Sequence, residues 1–198
     1  KKSNEASIIE IFQKSLGKKK FVSEDVEFFN IGKTRIFTKI DTLVQSTDIP
    51  PKMKLSDASR KSIVACISDF AAKGIKPKYG VISINLPKSI SRSKIDEIVK
   101  GFKKASKEFD IEILGGDTNE GKEIVLNVCI FGESKDFVSR KGSKEKDIIF
   151  VTGPFGYTAL GLKMILEEKQ NKVKIVKKSI NIFTNPKPRL VFGVKNKK

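Results

Sequence analysis

The 198-residue sequence contains no histidine, no tryptophan and only two cysteines. The missing imidazole excludes a Ser-His-Asp triad, a Cys-His pair and any His-ligated zinc, copper or haem site. Cys66 and Cys129 lie far apart in apolar surroundings without a CxxC neighbour, which reads as two free thiols in a reducing compartment. Any bound metal must therefore rely on oxygen ligands, which selects Mg²⁺, Mn²⁺ or Ca²⁺. No apolar run approaches the roughly 18 residues of a membrane span, and Lys1-Lys2-Ser3-Asn4 leads into no signal-peptide core. The expectation is a soluble, cytoplasmic protein with no membrane partner. A GxxxxGK[ST] phosphate loop is also absent, so this is not a Walker-type ATPase.

Arginine is scarce in a basic chain. Only Arg35, Arg60, Arg92, Arg140 and Arg189 stand among 40 basic residues, against 23 acidic ones and a net charge of +17. Such a charge favours anionic partners, nucleotides and other phosphates included. Readers of base edges and forked phosphate clamps use arginine, however, and the lysines are scattered over helices and loops. A Lys-biased solvated surface accounts for the excess better than a nucleic-acid face does.

With 38% hydrophobic residues the chain can bury a core. Ile8, Ile9, Ile11, Phe12 and Leu16 have helical spacing up to Gly17. The stretch from Thr34 to Val44 is strand-like, with Gly32 as the turn before it. A helix should run from a Ser56 or Asp57 cap to Lys73, where Gly74 stops it. Its bulky side carries Ile63, Ile67 and Phe70, and its small side Ala65, Cys66, Ser68, Asp69 and Ala72, a distribution that suits close approach on both sides. Residues 79–86 read as a strand, a second helix begins at Ser91, and Ile111–Leu114 and Ile124–Phe131 read as further strands. Interleaved strands and helices give an α/β to α+β class. A polar stretch over 135–147 suggests two domains, 1–138 and 139–198. In the second, a strand over Ile148–Thr152, a helix from Thr158 to Glu167 and a Lys-rich surface loop over 168–178 are expected. Sixty residues are a thin basis for an independent domain, so this second unit reads as the incomplete start of an α+β domain.

Four acids stand out by context: Asp25 before the first strand region, Asp41 inside a strand, Asp69 within a small, apolar helix, and Asp117 after a strand and two glycines. Each could pair with a lysine or cap a turn. Taken together they suggest one site, and carboxylates held close at neutral pH need a proton or a cation between them. Mg²⁺ is the natural cation here. Gly115-Gly116-Asp117-Thr118 could let backbone N–H groups approach a phosphate, although a simple turn has the same letters. Gly153-x-x-Gly156 before a helix poses the same choice.

In order along the chain, Asp41-Thr42-Leu43-Val44, Ser68-Asp69-Phe70-Ala71-Ala72-Lys73-Gly74, Leu114-Gly115-Gly116-Asp117-Thr118, Arg140-Lys141-Gly142-Ser143, Val151-Thr152-Gly153-Pro154-Phe155-Gly156 and Pro186-Lys187-Pro188-Arg189 resemble the thiamine-monophosphate kinases of the aminoimidazole-ribonucleotide synthetase-like superfamily. The resemblance covers nearly the whole chain and implies ATP-dependent phosphorylation of thiamine monophosphate to thiamine diphosphate, with several Mg²⁺ ions. It places metal ligands at Asp25, Asp41, Asp69 and Asp117, ATP contacts at Gly116, Asp117 and Arg140, and a substrate contact at Asp48. It further implies an N-terminal ATP-binding domain with a mixed sheet, flanking helices and homodimeric pairing. Three positions depart from the family: Ser23-Glu24-Asp25 stands for Gly-Asp-Asp, Lys39-Ile40 for Ser-Thr, and Asp48-Ile49 for His-Phe. The family's later Ile-Ser-Asp-Gly-Leu stretch has no counterpart after Arg189. A related enzyme with another acceptor and a non-catalytic nucleotide-binding dimerisation module are the alternatives; a nucleic-acid binder is a distant third.

Overall fold

Extended runs of β-branched and aromatic residues build the first half of the molecule around one sheet. The computed structural model describes residues 4–17, 24–168 and 173–196. A first helix, α1 (Glu5–Ser15), is capped by Asn4, whose side chain accepts from Ser7 N–H. The strands β1 (Glu27–Ile31) and β2 (Thr34–Val44) form a hairpin turned at Gly32, whose φ of 58° lies in the left-handed region that glycine enters freely. A one-turn helix α2 (Gln45–Asp48) follows, then the long α3 (Leu55–Lys73), closed by Gly74 in left-handed conformation with its N–H on the Phe70 and Ala71 carbonyls. β3 (Pro77–Pro87), α4 (Arg92–Phe109), β4 (Glu112–Gly121) and β5 (Val125–Glu133) complete the sheet. Its strand order is β1-β2-β5-β3-β4, antiparallel except for β3 and β4, which run parallel across the α4 crossover.

One face of the sheet is covered by α3 and α4. Phe37, Val128 and Ile130 from the strands meet Ile63, Ile67 and Phe70 from α3 in one cluster, and Leu43 and Leu126 meet Ala58 and Ile98 in another. The opposite face has no cover among the described residues. It presents Ile40 at 64% exposure, Phe29 at 45% and Tyr79 at 37%. β2 thus carries apolar residues on both faces, and among the described residues only one of these faces is covered.

The later residues form α5 (Tyr157–Leu166), α6 (Lys174–Thr184) and α7 (Leu190–Lys195). α7 lies on the small side of α3, where a side chain at Gly193 would strike the Ala71 carbonyl oxygen at 1.9 Å. Arg60, 3% exposed, ties three segments together. It makes a two-pronged contact with Glu108 of α4, at 2.8 and 2.7 Å, and donates to the Pro186 carbonyl at 3.1 Å.

Three local expectations need correction. Ile148–Thr152 is not a strand; no described strand lies beside it to take its backbone hydrogen bonds, and Ile148–Val151 stay exposed. The Lys-rich stretch is not all loop, because from residue 174 it is helical. Val176, Ser179 and Phe183 are buried at helical spacing there, while the lysines point outward. The short strand at Ile111–Leu114 is the beginning of a longer one, since β3 pairs with Gly115 through Gly121 as well. The segment 139–196 thus contributes helices only among the described residues.

Candidate active site

Lys61, Ala65, Asp69 and Lys73 recur every four residues on α3 and make one stripe along it. On the facing side of β2, Lys39 and Asp41 are two residues apart and so share a face. Lys39 Nζ lies 2.7 Å from Asp69 Oδ2, with both side chains about three-quarters buried. Burial pushes the Lys39 ammonium down, but the hydrogen bond to Asp69, its charge and that of Asp41 outweigh it and hold the group above the ordinary lysine range. Asp41 Oδ1 accepts from the Thr42 N–H at 2.9 Å. Beneath them Cys66 donates to the Val128 carbonyl, and burial pushes its thiol up to about 12. It is an inert wall, not a nucleophile.

Beside Asp41 a cavity of 170 Å³ is lined by Leu43, Asp48, Lys61, Ser62 and Ala65. Asp48 Oδ2 accepts from the Val44 N–H at 2.8 Å and the Thr47 hydroxyl at 2.9 Å, which fixes the α2 turn at the cavity edge. Lys61 faces the same space. Burial pushes its ammonium below the usual range, only partly opposed by Asp48, and it stands 4.0 Å from the centre of the Phe183 ring.

At the far end of the stripe Lys73, 2% exposed, forms a tight ion pair with Glu24. Asp25 Oδ2 lies 4.0 Å from the same ammonium, and Arg140 reaches Asp25 Oδ1 at 3.3 Å. Ser139 donates to Glu24 at 3.1 Å. Burial raises the Glu24 carboxyl, but hydrogen bonds from Lys73 and Ser139 win and leave it below the ordinary range. Ser23 lies outside the described residues. Acids and cations therefore alternate through successive contacts and along the α3 stripe: Arg140, Asp25, Lys73, Asp69, Lys39, Asp41.

Asp117 stands elsewhere. It pairs in register with Ser83, which pairs with Asn127, which pairs with Thr42. That row lies on the open face of the sheet, where Thr42 donates to Asn127 at 2.8 Å and Asn119 to Asp117 at 2.6 Å. Asp41 is in the adjacent row, with Val128, Ile82 and Gly116, on the helix face. Three strand spacings, about 14 Å, separate β2 from β4. Within one chain the structure brings Asp41 and Asp69 together around Lys39, links Asp25 to them only through Lys73 one helical turn along α3, and leaves Asp117 apart. No group of three or more acidic or thiol side chains among the described residues is close enough to hold one ion. The Gly115-Gly116 pair is strand, not a loop. Gly116 is tightly constrained: a Cβ there would lie 1.6 Å from the Ile82 carbonyl oxygen.

Arg189 lies against Gly153, whose added Cβ would meet its guanidinium at 3.1 Å. Both line a groove of 780 Å³ with Ser68, Ala72, Thr152 and Lys187. The small side of α3 is thus used twice, by the cavity at Ala65 and by this groove. Lys61, Lys73 and Glu24 did not stand out in the sequence. Lysines one helical turn from Asp69 and on the line of Ala65 were the available signal, obscured by the abundance of lysine.

Residues 23–134 match the family described as AIR synthase related protein, N-terminal domain. The chain is 61% identical over 197 residues to the thiamine-monophosphate kinase of Nitrosopumilus maritimus (strain SCM1), covering 100% of this chain and 63% of that protein. It is 29% identical over 191 residues to the thiamine-monophosphate kinase of Pyrococcus abyssi, covering 96% and 60%. A solved structure described as AaThiL complexed with AMPPCP and TMP superposes with a TM-score of 0.90 at 26% identity, over 98% of this chain and 62% of that one. The chain spans about three-fifths of the length of these relatives.

Proposed function

The chain belongs to the AIR synthase related family through its N-terminal domain, and from that premise we propose that it carries the nucleotide- and metal-handling part of a thiamine-monophosphate kinase, which transfers a phosphoryl group from ATP to thiamine monophosphate. The observation that carries this reading is the 61% identity to such a kinase along the whole of this chain. Domain limits of 1–138 and 139–198 suit it, with the nucleotide between them.

Phosphoryl transfer asks the protein for positioning and charge neutralisation more than for covalent chemistry. The α3–β2 groove has the donors for a hard divalent cation, all carboxylate, with neither imidazole nor thiolate available. Asp41 and Asp69 would hold Mg²⁺ there as a pair of carboxylates completed by water. Asp25 lies farther along the stripe, against Lys73 and Arg140, and Asp117 stands on the open face outside that groove. Mg²⁺ supplies charge neutralisation on the phosphates when bound. Arg140 and Arg189 offer forked donors to phosphate oxygens, and Gly116 leaves backbone exposed beside Asp117. Asp48 and Lys61 line the cavity that would receive the acceptor. The open face of the sheet supports pairing with a second copy, which would cover Ile40, Phe29 and Tyr79. A cytoplasmic place in thiamine diphosphate synthesis follows from the same reading, and no helix of the described residues is long and apolar enough to cross a membrane.

The test is thiamine diphosphate formation from thiamine monophosphate and ATP with Mg²⁺, run beside calorimetric titration of ATP. The chain alone is expected to bind Mg²⁺–ATP weakly and to turn over poorly, because in-line transfer needs both reactants held and water excluded. Asp69→Asn should abolish the binding. Nucleotide binding with no thiamine diphosphate from this chain or from a longer form carrying it would favour the non-catalytic module. Robust synthesis by the 198 residues alone would refute the weak-turnover expectation.

A further inference from the structure

We propose that Lys39 is a built-in replacement for a metal ion: its ammonium fills one cation position between β2 and α3, so this protein binds one divalent ion fewer in that groove than it would with a neutral residue there. The proposal rests on the reading of the groove as a metal–nucleotide site.

The position of the ammonium carries it. Lys39 Nζ is 2.7 Å from Asp69 Oδ2, with 24% and 28% of the two side chains exposed. This is not a solvent-facing lysine folded onto a convenient acid. Its strand holds the stem on the helix side of the sheet, between buried Phe37 and Leu43 two positions before and four after. Asp41 lies one step along the same face. The opposing wall is Ala65 and Cys66, and a thiol pushed up to about 12 contributes no charge. Two carboxylates and one ammonium are therefore enclosed together.

The same device serves the other end of the stripe, where Lys73 and Arg140 engage Glu24 and Asp25. Asp41 differs. It accepts a hydrogen bond from the Thr42 N–H, and no lysine or arginine lies within 4.0 Å of it among the described residues. It is the carboxylate of the groove left open to an added cation. A metal bound to Asp69 as well would have to approach Nζ or displace it. Lys39 thus confines metal binding to the Asp41 side and gives Asp69 a fixed partner.

Counting of bound Mn²⁺ by paramagnetic resonance tests this, with and without a non-hydrolysable ATP analogue. Lys39→Met and Lys39→Gln should each gain one Mn²⁺ relative to the unmodified protein, at an affinity about tenfold or more above any residual wild-type binding in the groove, because a full positive charge leaves the two carboxylates. Lys39→Arg keeps the charge and should keep the wild-type count. Mn²⁺ should correspondingly raise the melting temperature of the two neutral variants more than that of the wild type. Equal counts in wild type and both neutral variants, in the nucleotide-free titration, overturn the proposal. Failure of every form to take up Mn²⁺ with the nucleotide would instead count against the nucleotide-site reading, and the nucleotide-free counts would still decide the role of Lys39.

Discussion

Replacing Gly116 by alanine should destabilise the protein before any ligand is considered. The added Cβ would lie 1.6 Å from the Ile82 carbonyl oxygen and 2.7 Å from its carbon. Restoring ordinary contact needs a separation near 3.4 Å, so β4 would have to retreat from β3 by almost 2 Å. Hydrogen bonds of about 2.9 Å do not survive that displacement. Overpacking costs about 1–3 kcal/mol, and two lost ladder bonds add about 1 kcal/mol each. A total of about 3–5 kcal/mol corresponds to a fall of about 6–20 °C in Tm for a chain of this size. Gly115→Ala is the control. No atom lies within 4 Å of its Cβ position, and its φ of +156° leaves only backbone strain, so its loss should be the smaller. Thermal unfolding followed by circular dichroism, without nucleotide, measures both. A Gly116→Ala melting temperature within about 2 °C of wild type would refute the steric reasoning and return the glycine to the role of opening backbone amides to an anion.

Three further outcomes are expected. Arg60→Met should lower stability at neutral pH by about 2–3 kcal/mol, since it removes the paired contacts to Glu108 and one to Pro186, while half-open Glu108 can rehydrate. The hydrogen bonds from Arg60 hold Glu108 below its ordinary value. Their contribution is therefore complete above the unfolded carboxyl pKa of about 4.3 and fades as pH falls through the lower folded value, so urea titrations of wild type and variant should converge in acid; a constant gap would contradict this. Lys73→Met should cost about 2–4 kcal/mol by stranding Glu24, and Glu24→Gln in that background should recover part of it; no recovery would show that the ion pair is not the cause. Cys66 should resist a thiol reagent at pH 8 in the folded protein and react on unfolding, because its thiol is held at about 12. The sign also predicts that stability declines above pH 9, where the unfolded thiol ionises and the folded one does not.

Much of the sheet was legible because its strands are long and bounded by turn residues. Thr34–Val44 is found at its expected limits, and Gly74 ends α3 as its position suggested. What local pattern could not supply was pairing. Ile148–Thr152 has strand composition and no partner, whereas Gly115-Gly116-Asp117-Thr118 has turn composition and is strand because β3 runs beside it. The candidate site divides similarly. Asp41 and Asp69 are recognisable as acids in apolar elements, but their meeting with Lys39 depends on where α3 lies across β2. Asp117 shares their chemistry and sits on the other face, a consequence of strand parity and the bulge at Gly80 and Val81 that no spacing in the sequence reveals.

The uncovered segment Ile148-Ile149-Phe150-Val151 has a consequence for how the chain behaves in a crowded solution. Its residues are 78%, 92%, 83% and 62% exposed, and each favours extended backbone. Four such residues in a row can add to the open edge of another sheet, and β4 is an edge strand on every copy. Strand addition between copies of this chain is the expected route of any self-association, and light scattering would register it. Lys144 and Lys146 precede the segment and Pro154 follows it closely, placed as charge and backbone interruptions that discourage stacking. The +17 charge of the whole chain then acts as a colloidal barrier between copies. That barrier has a range of about 8 Å at physiological salt and about 3 Å at 1 M. Raising the salt should therefore weaken the repulsion and increase light scattering while the circular dichroism spectrum stays unchanged.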